Sequence, residues 1–373
     1  MIYLWLVPAI ALLSLSLAAA LRRYALSRSI IDIPNARSSH SIPTPRGGGV
    51  AIVIAFLISL PVLGYVGLVE WSPLIAVGGA GILVAVIGFM DDHGHIAARW
   101  RLLGHFGAGI WALLWMGGFP PIVIFGMSME LRWFGYVLAA IYLVWLLNLY
   151  NFMDGIDGIA SIEALCVCLG ACFLYWLNGT PALIWAPLVL AMAVLGFLYW
   201  NFPPARIFMG DAGSGFLGIA LGVLSIQAAW ESSALFWSWL ILLGVFIVDA
   251  TFTLLRRLIR GDKVYEAHRS HAYQFASRRF GRHLPVTIAV GAINLFWLLP
   301  IALCVTYWGL DGACGLVMAY IPLIIIAVKF HAGVPSTGTT SVWPDNTRPG
   351  RLPPPTVANR LAFLPVASYV RRD

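Results

Sequence analysis

Apolar residues in this chain come in long blocks separated by short polar loops. One block, Pro73 to Met90, runs eighteen residues without a charge and then meets Asp91 and Asp92 side by side. A helix needs about 20 mostly apolar residues to cross a bilayer. Eleven blocks approach that length: 2–21, 49–68, 73–90, 102–118, 134–150, 158–177, 181–200, 213–230, 234–255, 285–304 and 312–329. The pattern predicts an all-α, polytopic membrane helix bundle of about eleven spans. The first block carries no basic residue in front of it and two, Arg22 and Arg23, behind it. It reads as a retained helix rather than a cleaved signal peptide.

Composition agrees. The chain has 373 residues, 60% hydrophobic and 10% charged, with a mean hydropathy of +0.86. A soluble domain carries about 25% charged residues, so this much apolar surface has no water-soluble interior to enter. The charges are also one-sided. With eleven spans, every one of the 23 Lys and Arg except Arg132 falls on the same side. The positive-inside rule makes that side cytoplasmic, the N-terminus periplasmic and the C-terminus cytoplasmic. A net charge of +7 concentrated there suits anionic lipid or an anionic substrate. The five cysteines lie in or at the edges of spans and form no zinc pattern; Cys304 and Cys314 could meet only on the outer face.

The outer loops are short, and the longest, 119–133, reads as a hairpin or amphipathic cover. The inner loops carry the unusual sequence. From about 331, Pro, Thr and Gly dominate and apolar periodicity ends. That divides the chain into a membrane domain, 1–330, and a disordered cytoplasmic tail, 331–373. No internal repeat is evident.

Asp91, Asp92, Asp154, Asp157 and Asp211 all sit at the cytoplasmic ends of predicted spans. Helix capping would account for Asp157 and Asp211, each of which precedes a span. It does not account for Asp91 and Asp92, which close one, where the helix dipole disfavours anions. A hard divalent ion with oxygen ligands, Mg²⁺ with Mn²⁺ as a substitute, would offset such a pair. Glycines in "MDGIDGIA" and "MGDAGSG" permit close approach of backbone to a phosphate. Arg46 stands beside three glycines in "TPRGGG", and "AHRSHAYQ" offers His268, Arg269 and His271. If helical, the two histidines share a face; phosphate clamping suits them better than a two-His zinc site. Asp249, inside the ninth block, is a second-tier functional candidate or the partner of Arg256.

"FMDDHGHIAARWRLLGHF", "NLYNFMDGIDGIAS", "NFPPARIFMGDAGSGFLG", "TPRGGG" and "AHRSHAYQ" together resemble the polyprenyl-phosphate N-acetylhexosamine-1-phosphate transferases, from about Arg37 to Gln274. The resemblance implies a Mg²⁺-dependent transferase in the bacterial inner membrane with a cytoplasmic active site. It would move a sugar-1-phosphate from a UDP-N-acetylhexosamine to undecaprenyl phosphate and release UMP. Asp91 and Asp92 match the family's aspartate-rich motif, which acts on the lipid phosphate. Asn151, Asp154 and Asp157 match "NxxDGxDG", and Asp211 matches the metal-binding aspartate. His268 and His271 match a loop that closes over the nucleotide-sugar, and the analogy extends to a homodimer. Peptidoglycan's muramoyl-pentapeptide transferases carry three adjacent histidines in that loop. "HRSHAYQ" looks more like the branch that starts O-antigen or other envelope glycans.

On this reading Asp211 binds Mg²⁺ with Asp91 or Asp92, and the other member of the pair orients or deprotonates the lipid phosphate. Asp154 and Asp157 position the nucleotide loop, with Arg46, Asn151, His268, Arg269 and His271 on the substrate. A route through a phospho-Asp ranks second to direct attack. The rival from another class is a transporter of anionic or lipid-linked cargo, against which stands the absence of a repeat. No nucleic-acid partner is expected.

Overall fold

A computed structural model describes residues 2–34, 42–94, 96–262 and 269–335, within one compact unit, 1–335. The helices are α1 (Leu6–Ser27), α2 (Val50–Tyr65), α3 (Trp71–Gly94), α4 (Ala98–Met116), α5 (Arg132–Met153), α6 (Ile159–Leu177), α7 (Trp185–Asn201), α8 (Asp211–Glu231), α9 (Ser233–Leu242), α10 (Gly244–Ile259), α11 (Ala272–Phe280), α12 (Leu284–Ile293), α13 (Leu299–Tyr307) and α14 (Gly312–Lys329). Each of the eleven apolar blocks is helical, so the protein is an all-α polytopic bundle.

The blocks differ in their fitness to span. Among the described residues eight helices are long and apolar enough to cross a membrane, counting α12 and α13 as one. α9 and α10 together are apolar enough for a ninth but are bent by 68° at Leu243, the shape of a broken span or of a re-entrant loop. Two expected spans fall short. α2 has 16 residues, about 24 Å against a hydrocarbon core of about 30 Å. α4 carries Arg99, Arg101 and His105 in its first half.

α8 is the axis of the bundle. From Ala212 to Ile226 every one of its residues is buried, against α3 and α5 chiefly, while α1 packs on α7. Small residues allow this close packing, as is usual where lipid supplies no hydrophobic drive between helices. A Cβ added at Gly218 would lie 2.6 Å from the Leu147 Cα, and one at Gly213 the same distance from the Gly49 Cα.

The outer loop 119–133 does form a hairpin, β3 (Ile122–Ile124) against β4 (Met127–Met129). At the other end of the bundle β1 (Ile31–Asp32) pairs with β2 (Thr44–Pro45). All five cysteines are free thiols, Cys304 and Cys314 included. The segment assigned to a tail from 331 begins as packed structure. Ala332 is buried, and the Gly333 amide donates to the Ser270 carbonyl at 2.6 Å. Residues 336–373 lie outside the described residues.

Candidate active site at the N-terminus of α8

α3 and α5 end where α8 begins. Gly88, one turn before Asp92 on α3, lets that helix touch α8 directly: an added Cβ would lie 2.6 Å from the backbone of Asp211 and Ala212. This contact carries the Asp92 carboxylate to the first amides of α8, which donate to it at 3.3 Å (Asp211) and 3.5 Å (Ala212). Those amides have no partner within their own helix, and a carboxylate is favourable there. Asp92 therefore caps a helix, but not its own. Gly210 completes the turn at φ +80°, and an added Cβ would stand 2.8 Å from Asp92 Oδ2.

Arg46 arrives on a neighbouring strand-like segment. The Phe208 amide donates to the Pro45 carbonyl (2.8 Å), and the Gly48 and Gly49 amides donate to the carbonyls of Phe208 (2.9 Å) and Met209 (2.8 Å). The guanidinium Nη2 then sits 2.7 Å from Asp92 Oδ1 and 2.6 Å from Asp211 Oδ1. Two carboxylates thus converge on one nitrogen, the Asp92 side chain 5% and the Asp211 side chain 26% exposed.

Asp91 lies within reach of the Asp211 carboxyl but has other main partners. Consecutive helical residues point about 100° apart, and Asp91 instead accepts from the Ile96 amide (2.8 Å) and from the Arg101 guanidinium of α4. Asp91 and Asp92 thus each have an arginine partner of their own. Among the described residues no three His, Cys, Asp or Glu side chains gather round one point.

Asp154 follows the last residue of α5, and its carboxylate accepts no hydrogen bond from the described residues. Burial, then the nearby Asp211 carboxylate, push it well above the ordinary carboxylate range. Asn151 ties α5 to the same place, donating to the Ser214 hydroxyl at 3.1 Å, which in turn donates to the Gly210 carbonyl at 3.2 Å.

Asp157 is elsewhere. It does not cap α6, whose first position follows Gly158 without a side-chain cap. Its Oδ2 accepts from the Ala205 amide (3.0 Å), its Oδ1 lies 3.1 Å from His283 Nδ1, and its carbonyl accepts from Thr287 Oγ1 (2.8 Å). It holds the "NFPPAR" loop to the start of α12.

In the histidine loop His268 lies outside the described residues. His271 is extended (φ −72°, ψ 150°) and stands just before α11, so the expected helical face shared by the two histidines does not run through it. Its amide donates to Gln274 Oε1 at 3.2 Å. The Arg269 carbonyl accepts from Arg278 at 3.2 Å. Tyr273, on the first turn of α11, donates its hydroxyl to the Phe152 carbonyl at 3.0 Å, joining this loop to the one that holds Asp154. Arg101, Ser214, Tyr273 and His283 were missed by sequence reasoning. Arg101, Ser214 and Tyr273 do lie inside the quoted motifs; His283 carries no local signal beyond a helix start.

A family model described as glycosyl transferase family 4 matches residues 74–229, which include all five aspartates and Asn151. A Bacillus subtilis protein named "Probable undecaprenyl-phosphate N-acetylglucosaminyl 1-phosphate transferase" is 31% identical over 68% of this chain and 71% of its own length. The decaprenyl-phosphate N-acetylglucosaminephosphotransferase of Mycolicibacterium smegmatis is 34% identical over 66% of this chain and 70% of its own length. The chain belongs to the polyprenyl-phosphate hexosamine-1-phosphate transferase family. Within reach of the same family is the phospho-N-acetylmuramoyl-pentapeptide-transferase of Moorella thermoacetica, 37% identical over 50% of this chain and 62% of its own length. The transferase family model stops short of Arg46 and of the histidine loop, both of which the fold brings to the matched core.

Proposed function

We propose that the protein transfers N-acetylhexosamine-1-phosphate from a UDP-sugar to undecaprenyl phosphate at the cytoplasmic face of the bacterial inner membrane, releasing UMP. N-acetylglucosamine is the donor sugar that the relatives' names favour. The product would start an envelope glycan of the O-antigen kind. The observation that carries this reading is the convergence of Asp92 and Asp211 on one cation, at the N-terminus of a buried helix, beside Asp154.

Those residues fit a divalent ion. Their donors are all carboxylate oxygens, as a hard cation requires, and Arg46 already stands where the two acids need positive charge. Asp211 and Asp92 would hold Mg²⁺, or Mn²⁺ in its place, with Asp154 beside them. A bound ion would offset charge on the donor's diphosphate.

The remaining work falls to side chains. Nucleophile and electrophile are both anionic, so positioning and cationic groups must offset their repulsion. Arg101, 38% exposed and fixed by Asp91, is suited to grip the acceptor phosphate. That monoester has a second pKa near ~6, so at neutral pH it is mostly a dianion and needs no general base. One of its oxygens attacks the donor's β-phosphorus, the bond from that phosphorus to the bridging oxygen breaks, and UMP leaves. Direct attack is favoured over a phospho-Asp because the acceptor monoester, mostly a dianion at neutral pH, is itself a ready nucleophile. Arg269 and His271 would face the nucleotide-sugar.

The Moorella relative supports a second reading, transfer of phospho-N-acetylmuramoyl-pentapeptide. "HRSHAYQ", with its histidines apart, argues for the first. UMP release by detergent-purified protein decides, using undecaprenyl phosphate with UDP-N-acetylglucosamine, its epimers and deoxy forms, or the muramoyl-pentapeptide donor. The first reading expects release that needs lipid and divalent ion and prefers an N-acetylhexosamine donor. Turnover with the pentapeptide donor alone overturns it in favour of the second, and silence with every donor overturns both.

A further inference from the structure

A carboxylate inside a membrane helix is costly unless its oxygens are satisfied. Asp249, within α10 and 6% exposed, is satisfied by another helix. Its Oδ1 accepts from the Ala272 amide at 2.9 Å and its Oδ2 from the Tyr273 amide at 3.0 Å. These are the first two amides of α11, which have no acceptor within that helix, and the carboxylate also faces the positive end of its dipole. Thr253 Oγ1 donates to Oδ1 at 3.2 Å, and His271 Nδ1 lies 3.4 Å from the same oxygen. The alternative partner, Arg256, is engaged elsewhere, donating to the Ala332 carbonyl at 3.1 Å.

The first turn of α11 is pinned from its other side as well. Besides the Tyr273 bond to the Phe152 carbonyl, the Tyr273 hydroxyl occupies the space that a side chain at Gly155 would take. Phe152 and Gly155 flank Asp154. An unbroken path of contacts therefore runs from Asp249, through the first turn of α11, to the loop that carries Asp154. Arg269, Ser270 and His271 lead directly into that turn.

We infer that Asp249 is a positioning residue for the donor nucleotide-sugar: it fixes the start of α11, and with it Arg269 and His271, against the Asp154 loop without touching substrate. This rests on the transferase reading. Asp249→Asn keeps the shape and removes the charge, so the expected result is a rise of about tenfold in the donor KM. The lipid KM and kcat should stay within about twofold. Tyr273→Phe should raise the donor KM alone in the same way, and the double variant should cost less than the two singles combined, because both act through one helix.

Hydrogen–deuterium exchange on Asp249→Asn reads the same contact without turnover. Amides at the start of α11 should exchange faster while those of α8 do not change. Unchanged exchange at α11 overturns the inference whatever the kinetics show. So does faster exchange with an unchanged donor KM, or an equal loss of donor affinity, lipid affinity and thermal stability, which would mark Asp249 as a folding residue only. If the wild-type protein releases no UMP, the transferase reading fails and the positioning role falls with it. The exchange result would then show separately whether the cap itself exists.

Discussion

α8 and α11 begin in the same way and serve different ends. Each starts at the end of the bundle where Arg46 and the aspartates lie, and the first amides of each are taken by a carboxylate from another helix: Asp92 of α3 for α8, Asp249 of α10 for α11. At α11 the bonds are 2.9 and 3.0 Å, and among the described residues no arginine or lysine competes for the carboxylate. At α8 they are 3.3 and 3.5 Å, and the same carboxylate is shared with Arg46, which also holds Asp211. A tightly committed carboxylate is a fastener. A loosely committed one, shared between a helix end, an arginine and a second acid, can exchange partners when a metal or phosphate arrives. Both are carboxylates in apolar sequence, one near the end of α3 and one inside α10, and what separates them is the competing partners.

The largest effect that would sharpen this contrast is at Asp211. Asp211→Asn should lower turnover by about 10²–10³-fold or more, the scale of removing one preorganised electrostatic group, with folding intact by size-exclusion profile. Near-normal turnover would take Asp211 out of the metal site. Gly155→Ala comes next. The new methyl meets the Tyr273 hydroxyl, so donor KM should rise by about tenfold or more. Tyr273→Phe in the same chain should restore part of the loss, because it removes the atom in the way; steady-state kinetics on both chains check this.

Arg46→Gln tests the α8 side alone. Without metal, Asp92 and Asp211 lose their shared cation, which should lower the thermal midpoint. Added Mg²⁺ should then raise the thermal midpoint more in the variant than in the wild type. An equal rise in both would mean that Arg46 and the ion do not occupy the same electrostatic position.

The smallest effect is at Asp154. A carboxylate whose folded pKa is raised binds its proton more readily folded than unfolded, so it lowers stability as pH climbs above its unfolded value near ~3.9. Asp154→Asn should therefore raise the midpoint of the metal-free protein at pH 7, by ~2 °C, while lowering Mg²⁺-dependent turnover. At pH 4 the gain in stability should shrink. A lower midpoint at pH 7 would contradict the strain inferred at this site.

Much of the fold could be read from the sequence, because a bilayer leaves so few choices: an apolar block of that length becomes a helix. The aspartates and Arg46 were also legible, since charge at the end of an apolar block is conspicuous. What each acid does was not. Asp92 reaches its amide partners across 119 and 120 residues of sequence and Asp249 across 23 and 24, and pattern reading sees only neighbours. For the same reason Asp157 read as a cap for α6 although it holds the 201–206 loop and His283. The bend at Leu243 was hidden inside one continuous apolar block, marked only by the glycine that follows it. α2 and α4 passed as full spans because edges drawn on hydropathy alone do not count the arginines or measure the helix.

The most direct test of the account compares Asp92→Asn and Asp249→Asn in one steady-state assay of UMP release, with donor and lipid varied independently. The account predicts a collapse of kcat at Asp92 with donor KM little changed, and at Asp249 a raised donor KM with kcat retained. The same loss of kcat at both positions would mean that the two caps do one job, and the assignment of the active site to the start of α8 would not stand.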